Sequence, residues 1–188
     1  MNIESLLSSY WNQVQNPDVR YLWAIFLILQ IPIFFVGRMA SPSPDLLVEG
    51  GKFERPLRAL EKAPNERKIL FKRWNEETKT QLRRAIYWDF LFIALYVFSG
   101  FLACLMAGRY RGGFETVRFG FLFTAPVAGV FDFIENLIML RVIDGLTTEN
   151  WLRIARVSTF LKFAFIGLAF TYALCGLLSW ACGKYLHQ

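Results

Sequence analysis

Four long apolar segments constrain the fold of this 188-residue chain more than any other feature of the sequence. Each is close in length to the roughly 20 residues that an α-helix needs to cross the hydrocarbon core of a bilayer. Apolar residues lie on every side of each segment, which favours contact with lipid over burial in a soluble protein. The sequence therefore predicts an all-α fold, an integral membrane bundle of four antiparallel helices that forms a single membrane domain over residues 1–188. The predicted spans are residues 21–37, 85–108, 119–143 and 157–185.

Composition supports this class and excludes several kinds of chemistry. Hydrophobic residues make up 55% of the chain and charged residues 19%, against about 25% charged residues in an average soluble domain. The three cysteines do not have the spacing of a zinc site, and the single histidine, His187, is the penultimate residue. Histidine-based metal, haem and hydrolase chemistry inside the membrane is thereby excluded. We expect no cofactor and no bound metal.

A cleaved signal peptide is the alternative interpretation of the first apolar segment. Signal peptides begin with a basic region, whereas residues 1–19 contain neither Lys nor Arg. This difference favours a retained helix over residues 21–37.

The distribution of Lys and Arg predicts the orientation of the bundle, because cytoplasmic loops carry an excess of these residues. Residues 38–84 hold twelve of them, and the connection between the third and fourth spans contributes three more, including Arg141. The opposite side has five. We therefore expect the 38–84 hairpin to be cytoplasmic and both termini to lie outside. The size of the chain and the lack of eukaryotic targeting signals favour a prokaryotic inner membrane.

The 38–84 hairpin is predicted to be an amphipathic helical segment from about residue 52 onwards. Its second half interleaves Leu70, Phe71 and Trp74 with Lys and Arg, a pattern typical of a helix that lies at the interface against anionic head groups. The alternative is a topology signal on an ordinary solvated helix. Because such a signal alone accounts for the pI of about 9.4, the positive charge does not indicate nucleic-acid binding.

Ionisable residues within the spans form the candidate functional site, because such residues are costly in a bilayer and face the bundle interior or a water-filled cavity. Four of them lie away from the ends of the spans, Asp89, Asp132, Glu135 and Lys162, and Asn136 accompanies them. At a rise of about 1.5 Å per residue, all lie within roughly 7–17 Å of the predicted cytoplasmic surface. We expect them to converge in one leaflet.

Helical spacing places these residues on faces that carry small and polar side chains, as helix contacts in lipid do. In the second span, Tyr96 shares a face with Asp89. In the fourth span, Ser158 and Tyr172 share one with Lys162. Four residues are therefore predicted to support the cluster: Gln30, Tyr96, Ser158 and Tyr172.

Two roles remain open for this cluster. Three acids against one Lys leave at least one carboxyl protonated or paired with an Arg, and two close carboxyls can share a proton. That chemistry suits proton handling, or the binding of a cationic or hydroxylated amphiphile. The alternative is a satisfied network of ion pairs and hydrogen bonds that fixes the register of the helices.

The leading hypothesis for function is a non-enzymatic multi-pass membrane protein, either an accessory subunit or a binder of a lipid or other hydrophobic ligand at the acidic cluster. One alternative is a small proton-coupled transporter that acts as an oligomer, since four spans are few for a transport path. Another is a membrane-embedded lipid-modifying enzyme that uses a carboxyl pair as acid and base. The expected partners are membrane lipids and a larger membrane complex or a second copy of the chain, with no nucleic acid.

Overall fold

The computed structural model describes residues 19–41, 76–110, 115–145 and 148–185. All secondary structure in these ranges is α-helical, which confirms the all-α prediction for this part of the chain. Most of the predicted hairpin lies outside the described residues, so its fold and its side of the membrane stay predictions, as does the antiparallel bundle. The helices are α1 (Val19–Ala40), α2 (Glu76–Tyr110), α3 (Glu115–Leu122), α4 (Thr124–Ile143) and α5 (Glu149–Tyr185).

Among the described residues, four stretches are long and apolar enough to cross a membrane, which is consistent with an integral membrane protein. Their most apolar windows have mean hydropathies between 1.5 and 2.4, and no window has more than 39% of its residues buried within the protein. Large apolar side chains therefore face outward along them; Phe160, for example, is 74% exposed. The stretches are Tyr21–Ala40, Glu76–Gly108, Val117–Ile143 and Glu149–Ser179.

Two of the helices begin more than two turns before the apolar segments that predict them. Helix α2 begins nine residues before the predicted span, and α5 begins eight residues before its own. The added residues of α2 are rich in Glu, Lys, Gln and Arg, straight-chain residues that favour helix in water. Glu76 and Glu77 also occupy its first turn, where negative charge complements the helix dipole. Hydropathy marks the apolar portion of such a helix, whereas local propensity and capping determine where it begins.

The third apolar stretch consists of two helices, α3 and α4, separated at Phe123. Pro126 explains the break, because its nitrogen carries no hydrogen and its ring would clash with the carbonyl of Leu122, four residues earlier. The chain makes a tight turn instead, in which the N–H of Phe123 donates to the carbonyl of Gly120 at 3.2 Å. The predicted span 119–143 is therefore interrupted in the structure.

Helix α4 ends with a glycine cap. Gly145 has a φ of +77°, a left-handed conformation that disfavours residues with a Cβ. Its N–H donates to the carbonyl of Val142 at 3.0 Å and so satisfies one of the last carbonyls of the helix.

Contacts divide the chain into two compact units, each with its own apolar cluster. The described residues of the first unit are 19–33, 94–110, 115–130 and 162–185. Its cluster draws on α1, α2, α3 and α5, and the Tyr172 ring stacks on Phe121 with the ring centroids 4.2 Å apart. Buried members of this cluster are Leu22, Leu102, Cys104, Leu105, Met106, Ala107, Leu122, Ala169 and Tyr172.

Small residues let helices of the first unit approach one another closely. Gly176 of α5 lies against Ala107 of α2, where a Cβ at position 176 would come within 2.6 Å of the Ala107 Cα. Gly100 of α2 lies against Ala125 of α4, where an added Cβ would be 2.8 Å from the Ala125 Cβ. Such contacts allow the extensive van der Waals packing that holds helices together in lipid.

The second unit is built around contacts between α2, α4 and α5. Its described residues are 34–41, 76–93, 131–145 and 148–161. The buried cluster contains Ile138, Met139, Val142, Leu152 and Ala155, with Ile86 and Ile134 packed against it.

The close approach at Gly176 generates a prediction about stability. Gly176→Ala places a methyl group against the backbone of Ala107, which cannot move aside as a flexible side chain can. We expect the free energy of unfolding to fall by about 1–3 kcal/mol, the usual cost of overpacking. Unfolding of the detergent-solubilised protein by SDS, followed by circular dichroism, measures the change.

Gly167→Ala is the matched control, because it lies in the same helix and an added Cβ would meet nothing within 4 Å. Helix propensity alone predicts that this variant gains up to about 1 kcal/mol. Equal losses in the two variants would contradict the argument from the Ala107 contact.

Candidate functional site

Three polar side chains of α4 are buried in the second unit. Asp132 is 4% exposed, Glu135 3% and Asn136 7%. Their spacing of three and four residues places them on adjacent positions of one helix face. Because α4 otherwise consists almost entirely of apolar residues, this face is the polar part of an apolar helix.

A hydrogen bond joins this face of α4 to α2. The Nδ2 group of Asn136 donates to Oδ2 of Asp89 at 2.7 Å, a short distance typical of a bond to a charged acceptor. The structure thus brings together two of the residues that the sequence predicts for the site. An amide donor also offsets part of the cost of removing the carboxylate from water.

The polar residues of the second unit lie one helical turn from its apolar cluster. On α2, Asp89 follows the cluster residue Ile86 by three positions. On α5, Ser158, which is 3% exposed, follows Ala155 by three positions. On α4, Asn136 precedes Met139 by three positions. We refer to Asp89, Asp132, Glu135, Asn136 and Ser158 as the polar layer.

The polar layer consists mainly of carboxyl groups, which accept hydrogen bonds and carry negative charge when ionised. Its three carboxyl groups can accept hydrogen bonds or hold a cation when ionised, and donate when protonated. Burial makes each charge expensive unless a partner of opposite sign or a donor faces it. A layer of this composition favours a cationic or hydroxylated group as its complement.

The other predicted site residues belong to the first unit. Lys162 is half-buried there, and its Nζ lies 5.2 Å from the centroid of the Phe163 ring. Tyr96 is half-buried, and Tyr172 is buried beneath the Phe121 stack. Convergence of Lys162 with the carboxylates stays a prediction.

Gln30 has a partner that the sequence reasoning missed. Its Nε2 group donates to Oγ of Ser99 at 2.9 Å and to the carbonyl of Phe26 at 3.0 Å. Ser99 is buried, on the same side of α2 as Tyr96 and next to Gly100. A search of that face for neutral polar residues, and not only for ionisable ones, would have found it.

The second unit also contains an ion pair, between Arg83 and Asp144, that the sequence does not predict. Nη2 of Arg83 lies 2.6 Å from Oδ1 of Asp144, with the two side chains 35% and 48% exposed. It joins the charged beginning of α2 to the turn that follows α4. From the sequence, Arg83 is one of the basic residues of the hairpin and Asp144 has no predicted partner. A pairing between residues 61 positions apart leaves no pattern in the local sequence.

Neither the described cysteines nor the described acids form a group of three or more ligands that could hold a metal ion. The chain matches no protein-family model, no curated protein and no solved structure.

The bond between Asn136 and Asp89 generates a second prediction. In a double-mutant cycle with Asn136→Leu and Asp89→Leu, we expect a coupling free energy of about 1.5–3 kcal/mol, as for a hydrogen bond to a charged group. Either single variant destabilises by leaving a polar group behind in an apolar setting, and the double variant recovers part of that loss. SDS-induced unfolding of the four proteins measures the cycle.

The exposed pair of Lys79 and Glu76 is a suitable control, because its atoms are also 2.7 Å apart. We expect no measurable coupling there, since water competes for both charges. A coupling at Asn136 and Asp89 as small as that of the control would show that the bond contributes nothing to stability.

Proposed function

We propose that this chain is a non-enzymatic multi-pass membrane protein that binds a lipid or another hydrophobic ligand through the polar layer of the second unit. The observation that carries the proposal is the burial of two carboxyl groups, Asp132 and Glu135, on one face of an apolar helix. Ionisable groups at such positions are expensive, and in membrane proteins they commonly mark a substrate or ion path.

The proposed ligand follows from the functional groups of the polar layer. The polar layer contains three carboxyl groups, one amide and one hydroxyl. A ligand with an amine or hydroxyl head has the chemistry that pairs with a carboxyl group, and its apolar part faces the surrounding apolar surface.

The proposed orientation follows the positive-inside rule. The second unit contains the charged start of α2, with Lys79, Arg83 and Arg84, and α4 ends with Arg141 in its last turn. Such residues favour the cytoplasmic side of a membrane. We therefore propose a prokaryotic inner-membrane protein with the 38–84 hairpin in the cytoplasm and both termini outside.

Proton-coupled transport is a second candidate, favoured by the spacing of Asp132 and Glu135. Two carboxyl groups three residues apart on one helix, both at most 4% exposed, suit the sharing of one proton. This candidate requires an oligomer to form the path. Unlike simple binding, it predicts that the affinity of the liposome-reconstituted protein for its ligand changes strongly between acidic and alkaline pH.

Ligand retention tests the proposed function. The protein is extracted in a mild detergent, and the bound amphiphiles are identified by mass spectrometry against their abundance in the whole membrane extract. We expect one amphiphile with an amine or hydroxyl head to be enriched in the unaltered protein. Asp132→Asn and Glu135→Gln should reduce that enrichment at least about tenfold, since each replaces a carboxyl group of the proposed site by an amide.

Glu77→Gln is the control, because Glu77 is an exposed carboxyl group of the second unit outside the polar layer. Elution volume and melting temperature confirm that each variant is folded. Equal enrichment in all the proteins would contradict the proposal. Copurification of a second protein without any enriched amphiphile would instead favour the accessory-subunit hypothesis.

A further inference from the structure

The first unit contains a half-open cavity of about 440 Å³, within the range of about 300–1,000 Å³ typical of small-molecule sites. It is bounded by α1, α2 and α5, with Ala125 of α4 contributing to the wall. Along α1 the lining extends from Trp23 to Ile33, ten residues or about 15 Å of helix. A slot of this length parallel to the helix axes has the shape of an extended alkyl chain.

Polar groups are concentrated at one end of this cavity. The bond between Gln30 and Ser99 places both side chains three residues of α1 from Ile33, and Tyr96 lies one turn of α2 from Ser99. Towards Trp23 the lining is mainly apolar, with Met106 and Leu177, and the indole N–H of Trp23 is its polar group. The cavity therefore has the polarity of an amphiphile, with a short polar part and a long apolar part.

The hydrogen bonds of Gln30 and Ser99 determine what the polar end can recognise. Both hydrogens of the Gln30 amide are used, one by the Phe26 carbonyl and one by Ser99 Oγ, so the amide offers an occupant its carbonyl oxygen. Ser99 Oγ accepts that bond, so the hydroxyl offers its own hydrogen. A hydroxyl group is the complement of this pair, because it donates to the amide oxygen and accepts from Ser99.

The charge and depth of the cavity exclude an ionic head group. Its lining contains no Asp, Glu, Lys, Arg or His among the described residues. Gln30 lies near the middle of the apolar stretch Tyr21–Ala40, about 15 Å of helix from either end. A charge brought to that depth without a partner would lose its hydration, at a cost that a neutral hydroxyl avoids.

We infer that the cavity of the first unit binds a neutral long-chain alcohol, with the hydroxyl group between Gln30 and Ser99 and the chain directed towards Trp23. This site goes beyond the proposed function, since it involves neither the carboxyl groups nor the residues of the second unit.

Photolabelling tests this inference. The full chain is reconstituted in phosphatidylcholine nanodiscs with a hexadecanol that carries a diazirine in its chain, and labelled peptides are mapped by mass spectrometry. We expect the label on lining residues of α1, α2 and α5. Unlabelled hexadecanol should reduce the labelling, whereas hexadecane and ionised hexadecanoate should compete at least about tenfold less well.

Two alanines of α5 provide a matched pair of variants. Ala173 lines the cavity, and Ala173→Phe should fill the slot and reduce labelling at least about fivefold. Ala164 is exposed and outside the lining, so Ala164→Phe should leave labelling unchanged. Ser99→Ala removes the proposed donor and should weaken competition by hexadecanol about threefold to tenfold without affecting hexadecane.

Several results would overturn the inference. Label spread evenly over exposed apolar residues such as Phe34 and Phe160 would mean that the alcohol behaves as bulk lipid. Equal labelling in Ala173→Phe and Ala164→Phe would exclude the cavity as the site. Equal competition by hexadecane and hexadecanol would exclude recognition of the hydroxyl group.

Discussion

Backbone hydrogen bonding is the constraint on which the rest of this structure depends. An amide or carbonyl group surrounded by hydrocarbon has no water to bond to, so a segment in that setting must satisfy its own backbone. Long helices achieve this, and they leave the side chains to determine how the helices associate. The break between α3 and α4 is an exception. Pro126 has no N–H to donate there, and the chain forms a tight turn in which the N–H of Phe123 donates to the carbonyl of Gly120.

The two units place polar groups within apolar surroundings in different ways. The second unit buries carboxyl groups and places the Asn136 amide against one of them, Asp89. The first unit buries a neutral pair, Gln30 and Ser99, beside an apolar cavity. Charged groups are costly but attract ions and amines strongly, whereas neutral pairs cost little and select by hydrogen-bond geometry. The two arrangements therefore differ in the chemical groups that they present.

The sequence predicts those features that depend on one helix at a time. Hydropathy locates the four apolar stretches, and helical spacing places Asp132, Glu135 and Asn136 on one face. It does not predict that Asn136 meets Asp89 or that Arg83 meets Asp144, because such contacts depend on the rotation and height of separate helices. Ser99 is hard to predict for a different reason: it carries no charge, and a single serine beside Gly100 resembles a packing residue. The interruption at Phe123 does not follow from Pro126 alone, because Pro32 lies inside the continuous helix α1.

The contact between Gly176 and Ala107 has a consequence for how the sequence can vary. Because backbone faces backbone there, no change of rotamer can make room for a larger side chain. Over evolution each position is expected to drift only between Gly, Ala and residues of similar size, and an enlargement at one requires a reduction at the other. A set of diverged sequences should therefore show the two positions changing together, with their summed volume nearly constant, while the exposed residues of α5 vary freely in size.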